Sequence, residues 1–251
     1  MLLFLIFCLG IEKLEKTYGQ YSPKFKSESM KDLKPHQRVN DILLAPLEKP
    51  ALQWLVAHMP DWINPDILTV IGILGAVLTF GGYCLSNQNS VFLWVASLGF
   101  VINWLGDSLD GNLARYRQIE RPKYGFFVDH TVDSFNEVLI VLGLGLSPYV
   151  SFNIACLGLI GYLLMSILVY IRTYVSGVFQ LSYGKLGPTE VRVILILLNT
   201  TMYFWGIPDI KLPLGLNTVY DIPIAILAII LGILYIFSSI KEAIALAKLG
   251  E

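Results

Sequence analysis

Long apolar segments fill most of this chain between residues 66 and 246, and each approaches the length of a helix that crosses a bilayer. Such a helix needs about 20 mainly apolar residues, and inside lipid only helices or closed barrels satisfy their own backbone hydrogen bonds. Only 15% of the residues are charged, whereas ordinary soluble domains contain about a quarter. We therefore predict an all-α integral membrane protein with six transmembrane helices, at about 66–86, 91–118, 125–148, 150–176, 190–208 and 221–246.

The region before the first apolar segment differs from the rest in composition. Residues 38–60 mix apolar and charged positions and include Trp54, which favours an amphipathic helix at the membrane interface over a helix packed on the bundle. The residues before them are mostly polar and rich in lysine. We predict an N-terminal cytoplasmic arm at 1–37 and one membrane domain at 38–251.

The distribution of lysine and arginine predicts the orientation of the helices. Basic residues cluster before the first segment and around the turns after the second and fourth, whereas the turns at 86–90 and 147–153 contain none. Because cytoplasmic loops carry an excess of Lys and Arg, both termini are expected in the cytoplasm. The net charge of −1 argues against nucleic acid as a partner.

Four aspartates stand inside the second and third apolar segments: Asp107, Asp110, Asp129 and Asp133. Within each pair the separation is three or four residues, which puts both members on one face of an α-helix. A carboxylate in a membrane segment needs a partner such as a cation or a water-filled cavity. If the two faces pack together, the four carboxylates converge on one site.

The side chains in this pattern favour one kind of chemistry. Carboxylates without Cys or His ligands favour Mg²⁺ or Mn²⁺, and two such ions about 4 Å apart can clamp a phosphate. Gly111 and Ala114 leave room beside the helix, and Arg115 can contact a phosphate with two donors. This predicts phosphoryl transfer from a nucleotide near the membrane. Two alternatives remain: a pathway for ions or protons, and carboxylates at helix ends that reach into water.

The pattern D-x2-D-G-x2-A-R-x9-G-x3-D-x3-D, from Asp107 to Asp133, resembles the signature of the CDP-alcohol phosphotransferases, membrane enzymes of phospholipid synthesis. The segment from Pro65 to Thr69 is similar to the family's P-[ND]-x-x-T segment ahead of its first helix. Six spans with an N-terminal interfacial helix are also the family's architecture. The resemblance covers roughly residues 38–246.

The resemblance implies a reaction and a role for each matching position. An acceptor alcohol would attack the β-phosphate of a CDP-alcohol and release CMP, with two Mg²⁺ or Mn²⁺ ions in the site. Asp133 would be both a metal ligand and the general base. The other metal ligands would be Asp107, Asp110 and Asp129, and the nucleotide contacts Asp66, Thr69, Gly111, Ala114 and Arg115.

Two further segments resemble the choline/ethanolamine branch of the family, which uses a CDP-amino-alcohol and diacylglycerol. These are Asp129-His130-x-x-Asp133-Ser134 and the Gly-Pro-Thr-Glu sequence at 187–190. A catalytic role for His130 is one hypothesis and a structural role is the other. In the family a Glu commonly follows the signature glycine; if that Glu helps the His act as a base, this chain lacks the partner, because Phe126 stands in its place. We favour this branch slightly.

The alternative is a CDP-diacylglycerol-dependent enzyme with a polar acceptor such as inositol phosphate, glycerol phosphate or serine. Arg172, Lys185 and Arg192 would then bind the acceptor phosphate, or they simply follow the positive-inside rule. A cation transport protein with an acidic site is a remote alternative. The family also suggests a homodimer, for which the sequence has no separate signal.

Overall fold

Seven helices make up most of the part of the chain that the computed structural model describes, which comprises residues 37–39, 44–176, 178–180, 187–208 and 216–248. The helices belong to one unit, Arg38–Glu251. They are α1 (Ala45–Ala57), α2 (Pro65–Leu85), α3 (Phe92–Tyr116), α4 (Pro122–Leu146), α5 (Phe152–Ser176), α6 (Pro188–Trp205) and α7 (Asp221–Lys248). Strands β1 (Gln37–Val39) and β2 (Val178–Gln180) form a two-stranded sheet. Residues 1–36 of the predicted arm lie outside the described residues.

Each of the six predicted spans overlaps one of the helices α2 to α7, with bounds that differ by a few residues. Four of these, α2, α3, α5 and α7, are long and apolar enough to cross a membrane, which identifies a multi-pass membrane protein. Helix α4 carries three acidic residues in its middle, and α6 has only 18 residues with Glu190 and Arg192 near its start. Six spans, rather than four, therefore remain a prediction.

Helix α1 lies within the segment 38–60 that was predicted to be amphipathic. Its buried residues Leu52 and Val56 pack in one cluster with residues of α2 and α3, including Leu68 and Leu113. Trp54 is exposed. The helix therefore packs on the bundle through one face and leaves an aromatic ring on another, and its placement at a membrane interface remains a prediction.

Glycines bring the backbones of α2 and α3 into direct contact. A Cβ added at Gly75 would lie 2.4 Å from the backbone nitrogen of Asn103, and one added at Gly106 would lie 2.4 Å from that of Gly72. The sequence predicts close packing for Gly72, Gly75, Gly81 and Gly82. The prediction is wrong for Gly81, because among the described residues no atom of a neighbouring helix lies within 4 Å of its ideal Cβ. Periodicity on one helix does not reveal which of its faces meets a neighbour.

A buried polar network connects three helices near the end of α2 and the start of α3. Tyr83 on α2 donates a 2.8 Å hydrogen bond to Oδ1 of Asn199 on α6, and Asn199 Nδ2 donates to Ser97 Oγ on α3 at 3.1 Å. Buried polar groups need such partners because an unpaired one costs about 1–3 kcal/mol. The network ties α6 to the α2–α3 pair.

A capping hydrogen bond and a proline fix the residue at which α2 begins. Asn64 accepts a 2.9 Å hydrogen bond from the backbone N–H of Ile67, and Pro65 occupies the first turn, so the helix starts there. Arg117, just after α3, donates to the backbone carbonyl oxygens of Met59 and Ile63. The start of α2 is thereby held beside the end of α3.

Candidate active site

A narrow cleft between α2, α3 and α4 brings the four predicted carboxylates together. Asp107 and Asp110 come from α3, and Asp129 and Asp133 come from α4. The other lining residues are Thr69, Gly72, Val132 and Asn136. The two acidic helix faces therefore meet as their spacing suggests, and the role of the carboxylates as metal ligands remains a prediction.

Both aspartates of α3 are held by a side chain from another helix. Thr69 Oγ1 on α2 donates to Asp110 Oδ2 at 2.7 Å, and Arg192 Nη2 on α6 donates to Asp107 Oδ2 at 2.7 Å. The side chains of Arg192 and Asp107 are only 16% and 21% exposed. This ion pair is thus largely shielded from water. The attraction between its charges is therefore stronger than in an exposed surface pair.

The donor set on α4 fits a divalent cation. Three residues, Asp129, His130 and Asp133, each offer one ligand atom, and these atoms lie within 4.8 Å of one another. Asp107 and Asp110 line the cleft together with Asp129 and Asp133. A set rich in carboxylate oxygen suits Mg²⁺ or Mn²⁺ better than a softer metal. The neighbouring hydroxyl of Thr69 fits the same hard-ligand chemistry.

Four predicted nucleotide contacts are not among the residues that line this cleft: Asp66, Gly111, Ala114 and Arg115. Arg115 Nη2 donates to Asn112 Oδ1 at 3.1 Å. Its guanidinium lies 3.4 Å from where a Cβ on Gly111 would be. A Cβ at Gly111 would therefore be in van der Waals contact with the Arg115 side chain, and the role of both residues as nucleotide contacts remains a prediction.

Asp66 makes an exposed ion pair with Arg121, which directly precedes α4. Arg121 Nη2 lies 2.6 Å from Asp66 Oδ1, and the Arg121 guanidinium carbon lies 4.0 Å above the ring of Tyr124. The hydrogen bond to Asp66 raises the pKa of Arg121 above its usual value. The pair links the start of α2 to the start of α4 beside the cleft.

His130 lies between the acidic cleft and a second cavity. Its Nδ1 is 3.6 Å from Asp129 Oδ2, and its ring is stacked on Tyr170 with 5.1 Å between centroids. Phe126, which occupies the position of the family's Glu, makes an edge contact with the imidazole at 4.2 Å. The cavity is largely open to the protein surface, has a volume of about 400 Å³ and is lined by Phe126, Phe127, His130, Thr131, Ser134 and Tyr170.

Two of the three basic residues considered for an acceptor phosphate are paired within the protein. Arg192 binds Asp107, and Arg172 Nε lies 3.0 Å from Glu242 Oε2 on α7. Lys185 lies outside the described residues. Neither arginine is among the residues that line the cleft or the cavity beside His130.

Sequence reasoning missed two residues that line the cleft, Val132 and Asn136. Asn136 is 4% exposed and follows Asp133 by three residues, so the helical spacing that linked the aspartates could also have found it. Gly72 was assigned to helix packing alone, yet it lines the cleft as well. Its lack of a side chain leaves space next to Asp107.

The part of the chain that matches known proteins includes the residues that line the cleft. A family model described as CDP-alcohol phosphatidyltransferase matches residues 62–247. Cholinephosphotransferase 1 of Gallus gallus is 32% identical over 176 residues, which cover 65% of this chain and 50% of the relative. Its counterpart in Danio rerio is 31% identical over 195 residues, 72% of this chain and 49% of the relative. The chain thus spans about half the length of these curated relatives.

Two other proteins show similarity. Archaetidylinositol phosphate synthase of Pyrococcus horikoshii is 34% identical over 104 residues, 41% of this chain and 52% of the relative. The solved structure of phosphatidylinositol phosphate synthase from Mycobacterium tuberculosis, with CDP-DAG bound, has a TM-score of 0.50 and 19% identity, and covers 76% of this chain and 91% of its own. At that identity the likeness concerns the fold alone. The family model, by contrast, matches well over half of the chain together with all four aspartates of the cleft, and this chain belongs to the CDP-alcohol phosphatidyltransferase family.

Proposed function

We propose that this protein transfers a phospho-alcohol group from a CDP-alcohol to an acceptor hydroxyl and releases CMP. One observation carries the proposal: in a member of this family, four carboxylates from two adjacent helices converge in one cleft. A cation pathway would instead be expected to place acidic groups along several helices, often with broken spans.

The acidic residues of the cleft would hold two divalent cations, Mg²⁺ or Mn²⁺. These ligands would be Asp107, Asp110, Asp129 and Asp133. When bound, the ions neutralise charge on the pyrophosphate of the donor. Thr69 and Asp66, with Gly111, Ala114 and Arg115 on α3, would bind the cytidine diphosphate part.

Asp133 is our candidate for the general base. It lines the cleft with the other carboxylates and would take the proton of the acceptor hydroxyl. The hydroxyl oxygen then forms a bond to the β-phosphorus, while the bond between that phosphorus and the oxygen bridging it to the α-phosphate breaks, and CMP leaves. His130 is the second candidate, because its Nδ1 lies 3.6 Å from Asp129 Oδ2 and its ring lines the adjoining cavity.

We infer that the acceptor is a lipid such as diacylglycerol and that the donor is CDP-choline or CDP-ethanolamine. The cavity beside His130 is lined mainly by aromatic rings, which suit an apolar molecule. Arg172 and Arg192, which a phosphorylated polar acceptor would need, are already paired with carboxylates. The relatives in Gallus gallus and Danio rerio are named cholinephosphotransferases. A CDP-diacylglycerol-dependent enzyme with a polar acceptor is the alternative.

The distribution of basic residues supports an orientation with both termini and the cleft on the cytoplasmic side. There the cleft would be open to soluble nucleotides, and the cavity to membrane lipid. A homodimer is part of the same proposal, and cross-linking in native membranes would test it.

CMP release from purified protein in lipid, with Mg²⁺ or Mn²⁺, tests the function. One arm contains CDP-choline or CDP-ethanolamine with diacylglycerol, and the other contains CDP-diacylglycerol with polar acceptors. Release in the first arm that is lost in Asp133→Asn supports the amino-alcohol branch. Release only in the second arm would overturn the branch, and silence of folded, metal-loaded protein in both would overturn the transferase proposal.

A further inference from the structure

Arg192 is a cation held among acidic groups at the edge of the cleft. Its Nη2 donates to Asp107 Oδ2 at 2.7 Å, and Asp133 and Glu137 on α4 are close enough to interact with its charge. The residue comes from α6, which contributes no residue to the lining of the cleft as described. Its hydrogen bond to the cleft is therefore the one to Asp107.

The first turn of α6 is fixed by contacts with the region around α1. Thr189 Oγ1 donates to Glu48 Oε1 at 3.1 Å. Glu190, 4% exposed, accepts the backbone N–H of Gly187 at 2.9 Å and that of Leu44 at 2.8 Å. These contacts set the position of α6 only two or three residues before Arg192.

Glu48 also connects α1 to α3 next to the acidic face. The same oxygen that accepts from Thr189 accepts from Trp104 Nε1 at 3.1 Å, and Ser108 Oγ lies 3.4 Å from it. Ser108 directly follows Asp107 in the chain. Helices α1, α3 and α6 thus meet at a single carboxylate beside the cleft.

We propose that Arg192 is a positioning residue for the metal site: it holds Asp107 by one carboxylate oxygen and leaves the other for the cation. The contacts of Thr189 and Glu190 with the α1 region hold Arg192 in register. The proposal rests on the metal site of the proposed function. Partners that orient a metal ligand typically account for about 10–100-fold in metal affinity.

Arg192 could also weaken metal binding, so the direction in which the Kd changes in a variant distinguishes the two effects. A guanidinium near a divalent cation repels it, so that removal of Arg192 would tighten binding if repulsion dominated. The guanidinium also relieves repulsion among the clustered carboxylates and keeps Asp107 in one orientation. Weaker binding in the variant therefore identifies a positioning role, and tighter binding identifies a competitor of the metal.

Mn²⁺ titration of the full chain in lipid nanodiscs, followed by electron paramagnetic resonance, separates the two. We expect Arg192→Gln to raise the Kd for Mn²⁺ by about 10–100-fold, and Arg192→Lys, which keeps the charge and a donor, to recover part of the affinity. The matched control is Arg172→Gln, which breaks an arginine–carboxylate pair between α5 and α7 and should leave the Kd for Mn²⁺ unchanged, because neither residue of that pair lines the cleft. A Kd in Arg192→Gln equal to or below that of the wild type overturns the proposal.

A second pair of variants tests the link to α1. Thr189→Val removes the donor to Glu48 and should raise the Kd by a smaller factor than Arg192→Gln. Thr200→Val removes a hydroxyl that donates to the carbonyl oxygen of Ile196 in its own helix, and it should have no effect. Wild-type affinity in Thr189→Val overturns the role of α1. Absence of Mn²⁺ binding in the wild type would instead contradict the proposed metal site itself.

Discussion

Thr69 on α2 donates a hydrogen bond from Oγ1 to Oδ2 of Asp110 on α3, at 2.7 Å. The hydroxyl also lies 3.2 Å from the carbonyl oxygen of Pro65 in its own helix. Asp110 is thereby held from α2 just as Asp107 is held from α6. The two aspartates of α3 keep their orientation through groups that belong to other helices.

Thr69→Val removes this hydrogen bond and keeps the shape of the side chain. We expect the Kd for Mn²⁺ to rise by about tenfold, since the carboxylate loses the partner that orients it. The rate of CMP release at subsaturating metal should fall in parallel and recover at high metal concentration. Titration of activity with Mn²⁺ measures the shift, and an unchanged titration curve would contradict the role of Thr69.

Asp129→Asn replaces a predicted ligand with a group of the same size and no charge. Loss of a ligand should weaken metal binding at least as much as loss of an orienting partner, by about 100-fold or more. The bundle should remain folded, because relief of repulsion among the carboxylates compensates for lost contacts. Mn²⁺ binding and thermal unfolding in detergent measure both properties.

Asp61→Asn is the matched control for Asp129→Asn, because Asp61 is an exposed carboxylate in the connection between α1 and α2. It should bind Mn²⁺ as the wild type does. Equal metal affinity in the two variants would remove Asp129 from the site.

Asp133→Asn and His130→Gln distinguish the two candidates for the general base. A general base contributes about 10²–10⁴-fold to the rate, so Asp133→Asn should lower kcat by at least about 100-fold. His130→Gln removes the ring that stacks on Tyr170, and we expect its main effect on the KM for the lipid acceptor. Steady-state kinetics with varied diacylglycerol, at saturating metal, separates kcat from KM.

The opposite pattern would assign the proton transfer to His130. In that case His130→Gln would lose kcat and the acid limb of its pH–rate profile, whereas Asp133→Asn would change mainly the metal dependence. The comparison must be made at saturating metal because Asp133 is also a predicted ligand.

Gly106→Ala should separate α2 from α3. The new Cβ would lie 2.4 Å from Gly72 N and 2.5 Å from the carbonyl oxygen of Leu68, and backbone atoms cannot move aside as a flexible side chain can. Overpacking of this kind destabilises by about 1–3 kcal/mol, and Asp107 is the next residue. We expect a lower Tm in detergent together with weaker Mn²⁺ binding.

Gly81→Ala is the matched control on the same pair of helices, since no atom of another helix in the described part of the chain lies within 4 Å of the added carbon. Its Tm should equal or exceed that of the wild type, because alanine favours a helix more than glycine does. A similar loss of stability in both variants would mean that helix packing is not the reason for Gly106.

Sequence reasoning succeeded where the signal lies within a single helix. The six apolar segments correspond to helices α2 to α7, and the spacing of Asp107 with Asp110 and of Asp129 with Asp133 was sufficient to place each pair on one face. Composition alone leaves the number of spans open. Helix α4 is not among the four described helices that are long and apolar enough to cross a membrane, although its residues Asp129 and Asp133 line the cleft.

The amino-acid sequence by itself determined the helices, the acidic faces and the family, because periodicity and motif spacing are local properties of the chain. Only the tertiary structure decided the partners: Arg192 with Asp107, Arg121 with Asp66, and Tyr170 with His130. These residues are far apart in the chain, and their contacts depend on how each helix is rotated against its neighbours. That rotation is set by the sum of many packing contacts, such as those of Gly75 and Gly106, which no single segment of the sequence encodes.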